Sequence, residues 1–349
     1  MITKKNSNQD IIIETCYSSV INKVIHCLML QYYLFLIYLM RFLVAMNILS
    51  MNNLLNLDPD SSTSILTCFN MTRKVGSQNS KLTREIIKDF FIQMPLKWNI
   101  EEISFQEAGH NFTNLVVTLP YYNDYIQDDI FGFKTCSLEY NKKDIVFAVH
   151  YDTIYKIPGF VGAIDSAASM AILLQMAYAF SHSQLYRPSL RPYNLKMIFF
   201  DGEEAFDSWS STDSLYGSRH MAQKMDLNNI ELFVLLDLIG AKDTETIQYK
   251  FYNYDRQTEN FYQKLLDIDK ALFNEATSLL FEDKYVGDDI FIDDDHVPFK
   301  NKGVLCLHLL PLPFPSFWHT QQDNFDSLDI KKIRRVSQVL FNFTEELFQ

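Results

Sequence analysis

No two cysteines in this chain stand at the spacing of a metal knuckle or a redox pair. The five, at 16, 27, 68, 136 and 306, are scattered, so any metal must be held by histidine and carboxylate. No Lys/Arg cluster offers an electrostatic footprint for nucleic acid, and acidic residues outnumber basic ones 43 to 31, for a formal net charge of −12. Nucleic acid, which is bound through clustered cations, is therefore not an expected partner. Neither a repeat nor a Gly/Ser linker interrupts the chain. What is present is apolar: 48% of 349 residues, with 28 Phe and 19 Tyr. That is core enough for one large α/β domain or two smaller ones.

The N-terminus stands apart. Residues 1–23 are polar and read as a disordered tail. Val24 to Met40 is apolar on all faces, bounded by Lys23 and Arg41, and "FLVAMNIL" continues it. Seventeen helical residues reach about 26 Å, the short end of a membrane span, and Arg41 can snorkel to let it continue. The expectation is a signal anchor or signal peptide over 24–49, a linker over 50–80 and a catalytic domain over 81–349. A buried amphipathic helix, or a start at Met40, are the rival readings. The long leader and the lack of a small-x-small cleavage site favour a retained anchor. Lys4, Lys5 and Lys23 precede the run, and the next base after Arg41 is Arg73. That asymmetry predicts a type II membrane protein of the secretory pathway with a lumenal catalytic domain. Sequons at Asn70, Asn111 and Asn342 suit that compartment, although each pattern is weak by itself. Cys68 and Cys136 are candidates to pair, while Cys306 reads as a buried strand residue.

From Leu82 onward helix and strand signals alternate. "LTREIIKDFFIQM", "DSAASMAILLQMAYAF", "SLYGSRHMAQKM", "QTENFYQKLLDIDKALF" and "SLDIKKIRRVSQVLFNFTEELF" read as helices. "NLVVTLPYY", "KDIVFAVHYDT", "NLKMIFFDGEE", "IELFVLLDLIGA" and "GVLCLHLLP" read as strands. Short, nearly continuous apolar strands between helices predict a single α/β domain. Its central sheet is mixed, largely parallel and covered by helices on both faces. Ligands in such sheets bind beyond the carboxyl ends of the strands.

Acids and histidines collect at those ends. His150 and Asp152 close one strand, Glu203 and Glu204 follow another, and Asp237 a third. Asp165 stands at a helix start, Asp293, Asp294, Asp295 and His296 share one segment, and His319 follows the last strand. Each has an ordinary explanation. Asp165 could cap its helix, and the two glutamates could be first-turn acids. Their joint placement points to a site instead. Adjacent side chains of a strand face opposite ways, so Glu203 and Glu204 share one site only if the chain turns, and Asp201-Gly202 is a turn signal. Two neighbouring carboxylates can divide labour, one on a metal and one moving protons. Two carboxylates, an imidazole and an open position make a catalytic zinc shell.

Several stretches together resemble the glutaminyl-peptide cyclotransferases, or glutaminyl cyclases. They are "FAVHYDTIY", "FVGAIDSAASMA", "MIFFDGEEAFDSWSSTDSLYGSRHMAQKM", "LFVLLDLIGA", "DDDHVPF" and "VLCLHLLPLPFPSFWHT". The resemblance covers Leu82 to the C-terminus and implies a zinc-aminopeptidase-like fold. It further implies one Zn²⁺ per chain, on Asp165, Glu204 and His319, with Glu203 as general acid/base supported by Asp237 and Asp294. Trp209, Trp318 and Phe314 would line the substrate pocket, and His150 and His308 would stand behind the site. The implied reaction is cyclisation of N-terminal Gln, and more slowly Glu, of peptides and proteins to pyroglutamate, by a monomer. Many animal members carry a disulfide at positions that are Val149 and Met170 here, and Asp293 replaces a more usual Gln or Glu. Two rivals remain open. A zinc aminopeptidase would use His150, Asp165, Glu204, Asp237 and His319 for two metals. A non-catalytic membrane-anchored ectodomain on the same fold would be expected to lose such positions.

Overall fold

Alternate residues of a strand point to opposite faces of its sheet, and the central strands of this chain are largely buried on both. In the computed structural model, Leu55 and residues 64–120, 143–186, 193–286 and 290–349 are described. The apolar run at 24–49 and Cys136 lie outside the described residues. Six strands form one sheet: β1 (Asn99–Glu107), β2 (His110–Leu119), β3 (Asp144–His150), β4 (Asn194–Phe200), β5 (Ile230–Leu236) and β8 (Cys306–Leu309). Their order is β1-β2-β4-β3-β5-β8. The four strands β4, β3, β5 and β8 run parallel, and β2 and β1 add an antiparallel edge. A small second sheet pairs β6 (Lys250–Asn253) with β7 (Phe281–Tyr285) and β9 (Pro311–Leu312).

The alternation divides the core in two. Ile145, Phe147 and Val149 of β3, with Leu195, Met197 and Phe199 of β4, face one cluster. That cluster is covered by residues of α1 (Gln78–Ile92), α2 (Ala168–Tyr186), α4 (Glu259–Phe273) and α6 (Ile330–Leu347). Val146, Ala148, Ile198 and Phe200 face the other, covered by Met221 and Ala222 of α3 (Tyr216–Lys224) and Phe299 of α5 (Val297–Lys300). Each large side chain so buried contributes about 1.5–3 kcal/mol. The segment Ala163–Gln184 is long and apolar enough to cross a membrane, but 94% of its apolar window is buried in this core. Its apolarity is explained by packing between β-sheet and α6.

Helix starts follow the expected chemistry. Ser77 caps α1 by accepting from Ser80 N, and Asp329 caps α6 by accepting from Lys331 N and Lys332 N. The expected linker at 50–80 needs correction over its described part. Leu55, Leu66, Phe69 and Arg73 are fully buried, and α1 begins at Gln78, so the packed body starts well before residue 81. Val149 and Met170 are both buried among apolar side chains.

Candidate active site

The two neighbouring glutamates owe their placement to a turn after β4. Asp201 N donates to Asn114 Oδ1 at 2.9 Å, and the Asp201 carboxylate accepts from Thr113 N at 2.8 Å. Gly202 has φ 76°, and a Cβ there would stand 2.3 Å from the Phe112 ring. Only glycine suits both conditions, so the strand breaks here. No helix follows at once: α3 begins at Tyr216, which removes the reading of the pair as first-turn acids. The amides of Glu203 and Glu204 instead donate to the two oxygens of Asp152, at 3.1 and 3.2 Å. Asp152 thereby fixes the backbone from which both buried carboxylates project.

Asp165 does not cap α2. It sits in the turn Ala163–Ala167 with non-helical φ −119° and ψ 73°. One carboxylate oxygen lies 3.0 Å from His150 Nε2, the other 3.3 Å from His319 Nε2. Trp318 Nε1 donates to that second oxygen at 3.1 Å. His319 Nε2 is also 3.7 Å from Glu204 Oε1, a buried oxygen with no hydrogen-bond partner among the described residues.

Three side-chain groups among the described residues could hold a metal: Asp165/Glu204/His319, His150/Asp165/Asp237 and Asp294/His296/His308. Ligands about 2.1 Å from a tetrahedral zinc stand about 3.4 Å apart. The first group, at 3.3 and 3.7 Å, fits that spacing, and all three groups hold buried ligand atoms with no hydrogen-bond partner among the described residues. In the third, His308 Nε2 and Asp294 Oδ2 are only 2.7 Å apart, in direct contact. In the second, His150 Nε2 stands 3.0 Å from Asp165 and 3.4 Å from Asp237, the shorter being hydrogen-bond range. Asp165 belongs to both of the first two groups, so the five residues of the two-metal alternative are brought together.

The remaining candidates cluster around Glu203. Asp294 faces His308 Nε2, and the Tyr254 hydroxyl contacts His308 Nδ1. A cavity of about 380 Å³ is lined by Glu203, Asp237, Asp294, Asp165 and His319. Trp209, Phe314 and Trp318 also line it, with Phe291, Ile292 and Asp293. Trp209 Nε1 donates to Asp293 Oδ2 at 3.0 Å. Trp209 and Phe314 are 40% and 37% exposed, which places them at the mouth.

Electrostatics separate these groups. Burial raises the Glu203 carboxyl well above the usual carboxylate range; His150 opposes the rise and Glu204 and Asp294 add to it. Burial and the charge on Asp165 raise Glu204 likewise. Burial opposes the charge on Asp165 too, but His150 and His319 prevail and hold it well below its ordinary value. Asp237 is pushed up to about 6, chiefly by burial. So many desolvated carboxylates around one cavity are stable together only with protons or a cation among them.

Every sequence-derived site residue thus reaches one neighbourhood. Missed were the anchoring role of Asp152, the Tyr254–His308 contact and the Phe291–Ile292 wall. Asp152 carried a signal, since it closes the same strand as His150. Tyr254 carried none, because its contact depends on how the small sheet seats against β8.

The sequence model of Peptidase family M28 matches residues 135–344. The glutaminyl-peptide cyclotransferase of Dictyostelium discoideum is 36% identical over 297 residues, spanning 76% of this chain and 79% of its own length. Among solved structures, glutaminyl cyclase of Macrostomum lignano matches with a TM-score of 0.64 at 28% identity, over 81% of this chain and 87% of that one. A Zn-dependent exopeptidase from Parabacteroides distasonis matches with a TM-score of 0.60 at 16% identity, over 81% and 94%. At that identity the likeness concerns the fold alone.

Proposed function

The chain belongs to the glutaminyl-peptide cyclotransferases within peptidase family M28, and on that premise we propose how its cavity works. An N-terminal glutaminyl residue of a peptide or protein enters, and its α-amine attacks its own side-chain amide carbon. A C–N bond forms, the bond to the amide nitrogen breaks, and ammonia leaves pyroglutamate behind. One zinc, on Asp165, Glu204 and His319, would polarise the γ-carbonyl and stabilise negative charge on its oxygen. The observation that carries this reading is the spacing of those three ligands beside a cavity that Glu203 also lines.

The protein's own groups move the proton. Tethering already supplies proximity, so Glu203 accepts a proton from the α-amine and delivers it to the departing nitrogen. Its raised affinity for protons suits a group that must both take and give. Asp237 and Asp294 line the same cavity and keep the proton on the reacting side, and His308 holds Asp294. Trp209, Phe314 and Trp318 enclose the short side chain and limit water. N-terminal Glu reacts more slowly, because hydroxide is a poorer leaving group than ammonia.

The same proposal places the catalytic body in the secretory lumen, anchored as a type II protein through residues 24–49. A two-metal aminopeptidase is the second reading, favoured only by the sharing of Asp165 between two potential ligand groups. Metal analysis separates the two. The cyclase reading expects about one zinc per chain and loss of activity to a heterocyclic chelator. Two tightly held zincs, both needed for turnover, would instead establish the peptidase reading.

A further inference from the structure

Arg73 is completely buried, yet no carboxylate stands within ion-pair distance of it among the described residues. Its guanidinium is satisfied by main-chain carbonyls. Nε donates to Tyr151 O at 2.8 Å. Nη1 donates to Phe69 O, Met71 O and Val161 O at 2.9, 3.0 and 2.7 Å. Nη2 approaches Gly162 O at 3.3 Å, and the Arg73 amide donates to Thr153 Oγ1 at 2.8 Å. Burying a guanidinium is costly unless its donors are met, and here they are met mostly by segments of the candidate site.

Those segments matter. Tyr151 lies between His150 and Asp152, the residue that holds the amides of Glu203 and Glu204. Val161 and Gly162 lead into Asp165. The loop there is tight: a Cβ on Gly162 would fall 1.9 Å from Asp165 O. Gly162 O also accepts from Ala167 N, closing the turn that contains Asp165. A shift at Gly162 is therefore passed to Asp165. From the opposite side, the Asp323 carboxylate accepts from Ile164 N at 2.9 Å. Arg73 itself precedes residues 135–344, the stretch matched by the family model.

We infer that Arg73 is a positioning residue of the metal centre. It ties the end of β3 to the loop before Asp165, and so sets the Asp165 carboxylate against Glu204 and His319. This inference rests on the zinc assignment proposed above. Burial lowers the Arg73 guanidinium to about 10, with the charges on Asp152, Asp165 and Asp323 opposing the fall from a distance, so at neutral pH it is a fixed cation. The competing view is that Arg73 merely fastens the N-terminal segment to the body.

Zinc affinity distinguishes the two views. Arg73→Lys keeps the charge but loses the rigid fork. Thr153→Val removes only the acceptor of the Arg73 amide. Both full-length variants and the parent are stripped of metal and titrated with zinc against a chromogenic chelator, alongside thermal melts and kcat and KM for a Gln peptide. Positioning predicts that folded Arg73→Lys binds zinc about tenfold or more weakly, the range for groups that orient metal ligands. Its kcat should fall with KM little changed, and Thr153→Val should shift zinc affinity less, in the same direction. A folded Arg73→Lys protein with parental zinc affinity overturns the inference, whatever its melting temperature. If Arg73→Lys does not fold, Thr153→Val decides: weakened zinc supports positioning, parental affinity overturns it. A parent that binds no zinc sinks the metal assignment and this inference together. A parent that binds zinc but does not cyclise Gln sinks the proposed reaction alone.

Discussion

Glu203 and Glu204 are neighbours in sequence with opposite assignments, and substitution should separate them. Glu203→Gln nearly preserves shape and removes the proton carrier. Zinc content should stay at the parental level while kcat falls by about 10²–10⁴-fold. Glu204→Gln offers zinc a neutral amide oxygen, a poorer ligand than carboxylate, so metal content should drop and added zinc should restore part of the rate. Metal retained in Glu204→Gln but lost from Glu203→Gln would reverse the assignment. Two residues upstream, Asp201 is pushed up to about 7, chiefly by burial, from an ordinary 3.8. The folded protein thus holds this proton more tightly than the unfolded chain. The Asp201 contribution to stability is full below about pH 4 and is lost as pH climbs through about 7. Asp201→Asn should gain stability relative to the parent over that window, as measured by denaturant midpoints at several pH values; a constant difference contradicts it. These acids were legible in the sequence because strand ends and a Gly turn are local patterns. Arg73, Tyr254 and Asp323 were not, because their roles arise from contacts between segments far apart in the chain.

Among elements, the five helices and five strands read from apolar pattern all appear, with ends displaced by a few residues. Missed were β1, whose alternation of Glu and apolar residues looks like solvated loop, the one-turn helix α5, and the short strands β6, β7 and β9. The last three lean on tertiary packing more than on pattern. One junction deserves a direct test. Arg335 of α6 forks the fully buried Asp269 of α4 at 2.6 and 3.0 Å, reaches Glu275 at 2.6 Å and lies 3.9 Å from the Phe273 ring centroid. Asp269 also accepts from Ser278 Oγ. Arg335→Met leaves a buried carboxylate without its cation, which costs about 3–5 kcal/mol. Arg335→Met/Asp269→Leu should recover part of that loss. If the double variant were as unstable as the sum of both single ones, the pair would not be the bolt between these helices.

At the scale of the whole molecule, the core and sheet of the described body agree with the α/β fold that glutaminyl cyclases and zinc exopeptidases share. The lumenal placement has its own readout. Asn70 and Asn111 are exposed, whereas Asn342 is half-buried and its amide donates to Gln338 O within α6. Expressed in secretory cells, the protein should carry glycan at Asn70 or Asn111 and not at Asn342; a chain that is wholly unglycosylated and open to protease in sealed microsomes contradicts the placement. The central claim is chemical, and product mass tests it most directly. The purified catalytic body is incubated with peptides that begin with Gln, Glu and Leu and are otherwise identical. Conversion of the Gln peptide to a product lighter by one ammonia, slower loss of water from the Glu peptide and an unchanged Leu peptide are the predicted result. Release of free leucine from the Leu peptide, with the Gln peptide never losing ammonia, would contradict it.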